Sequence, residues 1–217
     1  MSEAKTISEK TIAAHGRLVD AFAQLNIKGV TILTGSNGSG KSVVRRHVSG
    51  KFRDQYKKTQ DEIRGWVLST SMDDRTGTKL EMMALSGMMR DTEWIATSQN
   101  TYDNIRGIFN AARQTKEAKY LMIDEFEIGC SEETIAALAT YIHENLQEMI
   151  AEKIIQGALI ITHSRKAVEL IQHDHFINLD GYDEQGWLTR TIVPTNLEEL
   201  ERNELFSYLR DNNKKED

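Results

Sequence analysis

A glycine-rich segment near the start of the chain has the residue types and the spacing of a phosphate-binding loop. It runs Gly35-Ser36-Asn37-Gly38-Ser39-Gly40-Lys41-Ser42 and directly follows the apolar stretch 30–34. A strand, a tight glycine turn and a helix in this order match the pattern G-x-x-x-x-G-K-[ST]. Because glycine has no Cβ, consecutive backbone amides can curl around phosphate oxygens. The segment therefore predicts binding of a nucleoside triphosphate.

The side chains of this loop have separate expected tasks. Lys41 can reach the β- and γ-phosphates, whereas the Ser42 hydroxyl is suited to ligating Mg²⁺. The residues expected to contact the phosphates are Gly35, Ser36, Asn37, Gly38, Ser39, Gly40, Lys41, Ser42 and Val43.

A pair of acidic residues follows a second apolar segment. Tyr120-Leu121-Met122-Ile123 is typical of a buried strand and ends directly in Asp124 and Glu125. Carboxylates at the carboxyl end of a parallel strand lie at the ligand-binding edge of an α/β sheet. There Asp124 can hold Mg²⁺, and Glu125 can orient and polarise an attacking water. Together with a phosphate-binding loop, the pair indicates nucleotide hydrolysis.

A histidine follows a third apolar segment. The stretch 158–161 ends in Thr162-His163-Ser164. A histidine at the end of a strand can hydrogen-bond a γ-phosphate and respond to its loss. A lone histidine is more often a structural residue, but the two preceding motifs favour a functional role for His163.

Helices and strands alternate along the chain. Helical spacing covers 12–25, the start of a helix follows the loop at Ser42, and further helices are expected over 80–94, 102–118, 131–150 and 165–172. Ser131 or its neighbour is expected to cap the helix that ends near Ile150. Strands are expected over 30–34, 66–70, 120–123 and 158–161, with a terminal hairpin from 176–179 and 187–193. Buried strands alternating with helices predict an α/β fold with a mainly parallel sheet.

Length and composition indicate one domain over residues 1–217. We expect a helical insertion over about 72–118 and a frayed, charged tail at 211–217. No segment approaches the length of a membrane span, and the amino terminus lacks a signal-peptide core. A single cysteine, Cys130, cannot form an internal disulfide, so a cytoplasmic location is expected.

The charge distribution gives only a weak indication of whether the chain binds nucleic acid. A net charge of −6 argues against a general nucleic-acid coat. Basic residues nevertheless cluster over 42–58, which leaves binding to a phosphate backbone possible. A solvated helix face is the favoured interpretation of this cluster.

In order and spacing, the three motifs resemble the Walker A, Walker B plus D-loop, and switch-histidine motifs of ABC-class ATPases over roughly residues 28–180. The phrase Asp124-Glu125-Phe126-Glu127-Ile128-Gly129 is most similar to soluble members of the chromosome-maintenance and DNA-repair type, rather than to transporter cassettes. The resemblance implies that Glu125 is the general base, that Asp124 is the Mg²⁺ partner and that His163 is the γ-phosphate switch. Ser131 falls where the D-loop aspartate of the family usually lies.

The sequence departs from the family pattern in three places. The stretch 68–72, where a Q-loop glutamine is expected, contains Ser69-Thr70-Ser71 and no glutamine. The signature loop has no clean match, and Ser98, which precedes the expected helix, is favoured over Ser86 as its serine. Phe126 stands where the family usually has proline.

The resemblance implies hydrolysis of Mg-ATP in a head-to-tail homodimer, with two ATP molecules between the chains. Two uses of that reaction stay open: a soluble ATPase that drives DNA- or RNA-linked work, as in phage or bacterial defence, and a slowly hydrolysing switch that regulates an effector. Either use requires a protein partner that the sequence does not identify. A transporter subunit is less expected, and a nucleotide kinase less still. No aromatic residue is clearly placed to stack on the base, and His15 is the candidate.

Overall fold

The computed structural model describes residues 9–25, 28–58, 66–70, 97–115 and 118–192. The helices in these ranges are α1 (Glu9–Gln24), α2 (Lys41–Lys58), α3 (Thr97–Thr115), α4 (Glu132–Ala151), α5 (Arg165–Leu170) and α6 (Glu184–Thr189). The strands are β1 (Gly29–Thr34), β2 (Trp66–Thr70), β3 (Ala118–Asp124), β4 (Gly157–Ile161) and β5 (His175–Asn178). No helix among the described residues is both long and apolar enough to cross a membrane.

The described strands form one sheet in the order β2-β3-β4-β1-β5. All four pairings are parallel. The register sets Leu33 and Asp124 on either side of Ile161, while Thr34 lies opposite Asn178. Because parallel strands end at the same edge of a sheet, the segments that follow β1, β3, β4 and β5 meet there.

Both faces of the sheet are covered, as expected of a parallel sheet. Alternate residues of β3 point to opposite faces, so Leu121 and Ile123 join one core cluster while Tyr120 and Met122 join the other. The first cluster lies against α3 and α4 and includes Phe109 and Ile142. The second lies against α1 and α2 and includes Leu18 and Val44. These two layers hold the carboxyl edge of the sheet in a fixed position.

The predicted α/β fold with a parallel sheet is confirmed, and strand β2 and helices α1 and α4 lie close to their expected positions. Ser131 is the N-cap of α4 and its side chain accepts a hydrogen bond from the backbone N–H of Thr134. Helix α3 differs from the prediction, because it begins at Thr97 and ends at Thr115. Ala118 opens β3 instead of closing the helix, since it pairs with Trp66 of β2.

The predicted terminal hairpin is wrong. Its first half is β5, which pairs in parallel with β1 instead of with a following strand. Its second half begins in α6, which Asp183 caps by accepting a hydrogen bond from the N–H of Gly186. Trp187 is 2% exposed within this helix and its ring lies 6.0 Å from that of Phe176. The apolar pair 187–188 therefore packs a short helix onto the sheet.

Several predictions lie outside the described residues. They are the Met-rich helix over 80–94, most of the helical insertion, the alternative signature serine Ser86, the Q-loop position Ser71, and the charged tail at 211–217. The division into one domain with a helical insertion stays a prediction.

Candidate active site

The phosphate-binding loop connects β1 to α2. Its turn is closed by a hydrogen bond of 3.1 Å from Ser39 N to Ser36 O. Gly38 and Gly40 have φ values of 79° and 109°, a region that disfavours residues with a Cβ. A Cβ on Gly40 would also lie 2.8 Å from Cδ2 of Leu18 on α1. The amides of Val43 and Val44 donate to Gly40 O, and the amino-terminal end of a helix such as α2 is suited to binding anions.

Lys41 is the first residue of α2, and its side chain bends back over the loop. Its Nζ donates hydrogen bonds of 3.0 Å to the carbonyl oxygens of Gly35 and Ser36. Burial lowers the pKa of Lys41, and the nearby carboxylates of Glu125 and Asp180 partly oppose this shift. The ammonium group of Lys41 is thus held against the first residues of the loop.

A buried hydroxyl within the loop fits a polar ligand. Ser39 Oγ is buried and has no hydrogen-bond partner among the described residues. Buried polar groups in folded proteins normally have a partner, so a ligand oxygen or an ordered water would satisfy this hydroxyl. The glycine turn, the amides of α2 and this hydroxyl together suit a phosphate group.

Asp124 ends β3 and pairs with a cation from α2. Its Oδ2 lies 3.1 Å from NH1 of Arg45, and its side chain is 16% exposed. Burial raises the pKa of Asp124 to about 6, although the Arg45 guanidinium acts in the opposite direction. A neighbouring positive charge therefore stabilises the ionised form of the Asp124 carboxylate. Hydroxyl and carboxylate oxygens such as those of Ser42 and Asp124 are the donors that Mg²⁺ prefers, so these residues fit that ion.

Glu125 and His163 follow adjacent strands and contact each other. The backbone N–H of Glu125 donates a hydrogen bond of 2.8 Å to Ile161 O, which continues the pairing of β3 with β4. Glu125 has a φ of 50°, an uncommon conformation for a residue with a side chain. Its Oε1 lies 3.1 Å from Nε2 of His163. Non-glycine residues in strained conformations cluster at functional sites, and this one joins two predicted catalytic residues.

Glu127 belongs to the same site, although the sequence analysis gave it no role. Its Oε1 accepts a hydrogen bond of 2.5 Å from the backbone N–H of His163. Its Oε2 is buried and lacks a hydrogen-bond partner among the described residues. The signal in the sequence was the second glutamate of Asp124-Glu125-Phe126-Glu127. Glu127 holds the segment after β4 in place beside Glu125.

Asp180 is a second functional candidate that the sequence analysis missed. It lies in the segment after β5 and accepts hydrogen bonds of 2.8 Å from both the backbone N–H and the Oγ of Ser36. The next strand in the sheet thus holds the first turn of the phosphate loop. The signal available in the sequence was the pair of polar residues Asn178 and Asp180 at the end of an apolar strand.

Comparisons with known proteins add little to this geometry. No protein-family model matches the sequence, and no curated protein is significantly similar to it. Among solved structures, Pif1 helicase from Candida albicans is similar at a TM-score of 0.34 and 18% identity. The match covers 80% of this chain and 40% of the helicase chain, so the present chain spans less than half of that protein.

The parallel α/β sheet with a glycine-rich loop between β1 and α2 is consistent with a P-loop fold. The sheet edge brings together the loop residues, Asp124, Glu125 and His163, and their roles stay predictions. The assignment to the ABC class stays a prediction.

Ser98, the favoured signature serine, lies in the first turn of α3 and not before the helix as predicted. Within the described residues it lines a cavity of about 270 Å³ between α3 and α4, not the phosphate loop. The other residues that line this cavity are Gln99, Tyr102, Thr134, Ala137, Leu138 and Tyr141. The role of Ser98 as the signature serine stays a prediction.

Proposed function

We propose that this chain is a soluble ABC-type ATPase that binds Mg-ATP and hydrolyses its γ-phosphate. The observation that carries the proposal is the contact between Glu125 and His163, at the sheet edge that also holds the phosphate loop. A carboxylate beside a histidine next to a phosphate loop suits the activation of water better than nucleotide storage alone.

The phosphate loop binds and orients the substrate. The amides at the start of α2 and the ammonium group of Lys41 offset the negative charge of the triphosphate. Ser42 and Asp124 would hold Mg²⁺. When bound, this ion neutralises charge on the phosphate oxygens as the bond to the leaving group breaks.

Glu125 acts as the general base. It takes a proton from a water molecule whose oxygen forms the new bond to the γ-phosphorus. The bond from that phosphorus to the bridging oxygen breaks, and ADP leaves with the bridging oxygen. Nε2 of His163 contacts the Glu125 carboxylate in the ligand-free chain, and once ATP is bound this N–H can donate to the γ-phosphate instead. The hydrogen bond from His163 N to Glu127 fixes the position of this histidine.

The test is the Glu125→Gln variant, which keeps the shape of the side chain and removes the base. Mg-ATP affinity should stay close to that of the wild type, and turnover should fall by about 10²–10⁴-fold. Glu144→Gln, at an exposed position of α4, is the matched control and should hydrolyse ATP normally. Retained turnover in Glu125→Gln would refute the assignment of the base.

The proposal includes a head-to-tail homodimer in which the Ser98 region of one chain meets the nucleotide of its partner. This assembly would drive or gate a protein partner in DNA-linked or phage-defence processes. Light scattering on Glu125→Gln tests it: Mg-ATP should convert monomers to dimers. An unchanged mass with ATP bound would assign the second half of the site to another protein or to an oligomer that exists before ATP binds.

One observation favours the second use, a switch that hydrolyses slowly. Arg45 already pairs with Asp124, so Mg²⁺ must share or displace this partner. A rearrangement before hydrolysis would slow turnover. Stimulation of ATP hydrolysis by DNA would favour the DNA-linked ATPase, whereas a switch should respond to a protein partner instead.

A further inference from the structure

The order of the strands sets the direction in which a bound nucleotide must lie, if the proposed function is correct. Glu125 and His163 follow β3 and β4, which lie on one side of β1. The γ-phosphate must face this side, because the attacking water is activated there. Strand β5 lies on the other side of β1. The nucleoside end of the triphosphate therefore points towards the segment after β5.

That segment is tied to the phosphate loop and to α1. Asp180 accepts two hydrogen bonds from Ser36, and Arg17 Nε donates a hydrogen bond of 2.6 Å to Leu179 O. The side-chain oxygen of Asn178 accepts from the backbone N–H groups of Asp180 and Tyr182. These bonds hold the segment 178–182 in a defined position beside the loop.

The segment 178–182 ends in Tyr182, an aromatic residue that is exposed to solvent. It is 45% exposed, whereas most large apolar side chains of the described chain are buried. The guanidinium carbon of Arg190 lies 5.3 Å from the centre of its ring. Arg190 NH1 in turn lies 3.9 Å from Oδ2 of Asp180, the carboxylate that holds the phosphate loop. A chain of contacts therefore connects the tyrosine ring to Ser36.

We propose that Tyr182 stacks on the base of the bound nucleoside triphosphate, with Arg190 fixing the ring. The large π-face of a purine suits this contact best, and stacking alone tolerates different bases. ATP and GTP should therefore bind with similar affinity. His15, the candidate suggested by the sequence, lies on α1 and is half-buried, so it offers the base less open surface.

The test compares a nucleotide with a ligand that has the phosphates and no base. Isothermal titration calorimetry on the full chain measures the affinity for Mg-ATP and for inorganic tripolyphosphate with Mg²⁺. Tyr182→Ala should weaken ATP binding by about 5- to 100-fold and leave tripolyphosphate binding unchanged. Tyr182→Phe should bind both ligands like the wild type, because it keeps the ring. Ile192→Ala, at a residue that is 78% exposed, is the control for a surface apolar change.

The outcomes separate this inference from the proposed function. A wild-type chain that binds neither ligand would overturn both. If the wild type binds both ligands and Tyr182→Ala binds ATP equally well, the stacking inference is wrong and the proposed function stands. Equal weakening of both ligands would also overturn the stacking role. Tyr182→Leu, which keeps volume without a π-face, gives the same comparison if the alanine variant melts early.

Discussion

Nε2 of His163 lies 3.1 Å from Oε1 of Glu125, although the two residues follow different strands. Strands β3 and β4 run in parallel with Asp124 opposite Ile161, which brings the segments after them to the same level. The left-handed backbone of Glu125 and the hydrogen bond from His163 N to Glu127 then hold the side chains of Glu125 and His163 in contact. This contact couples the proposed base to the proposed γ-phosphate sensor.

Removal of the His163 ring should separate catalysis from binding. We expect His163→Ala to lower turnover by about 10- to 100-fold, because Glu125 loses the group that orients it. The affinity for Mg-ATP should change little, since the phosphate loop is intact. Steady-state ATPase kinetics and calorimetry measure the two effects. His143→Ala, on α4, is the matched histidine control, and equal losses in both variants would contradict a specific role for His163.

Glu127 should act through the position of His163. Glu127→Ala removes the acceptor of the His163 backbone N–H, an exposed hydrogen bond whose net contribution is about 0.5–1.5 kcal/mol. The turnover number should fall while KM stays near its wild-type value. Glu127→Gln keeps an acceptor oxygen and should restore most of the rate. A glutamine variant as impaired as the alanine variant would show that the charge of Glu127, and not its hydrogen bond, is needed.

Asp180 should support the phosphate loop itself. Asp180→Ala removes both acceptors of Ser36, so we expect the free energy of unfolding to fall by about 1–2 kcal/mol. Binding of tripolyphosphate and of ATP should weaken together, unlike the pattern expected for Tyr182→Ala. Calorimetry with both ligands, together with a thermal melt, checks this prediction. Normal tripolyphosphate affinity in a folded Asp180→Ala protein would contradict it.

The sequence predicted the parts of the site that lie within single motifs. Strands β1 and β4 are recognisable because each is a short, largely apolar and mostly buried run that is followed by polar residues. The phosphate loop is recognisable because its glycines and Lys41 meet local backbone requirements. Asp124, Glu125 and His163 were predicted because each lies at or just after the end of an apolar strand.

The contacts between motifs were not predictable in the same way. Asp180 reaches Ser36 because β5 pairs with β1, and these strands are distant in sequence. A pattern of apolar residues does not specify which strands become neighbours. The helix at Trp187 was missed for a related reason: burial against Phe176 and the Asp183 cap outweigh its strand-like composition.

Burial of Asp124 should make the stability of the ligand-free protein depend on pH. Its pKa is raised from 3.8 to about 6, mainly because burial disfavours the charged carboxylate. Between these two values the native state holds a proton that the unfolded chain has released. The contribution of Asp124 to the free energy of unfolding is therefore greatest below the lower value, and it is lost as the pH rises through the upper one.

Asp124→Asn stays neutral at every pH, so it tests this dependence in Mg²⁺-free buffer with EDTA. The free energy of unfolding of the variant, relative to the wild type, should rise by about 1–2 kcal/mol from about pH 4 to about pH 7.5, after allowance for partial exposure of the carboxylate. Denaturant titrations at both pH values measure the difference, and Glu144→Gln should show no such trend. A difference that stays constant with pH would mean that Arg45 keeps the Asp124 carboxylate ionised throughout this range, because the ion pair then outweighs the effect of burial.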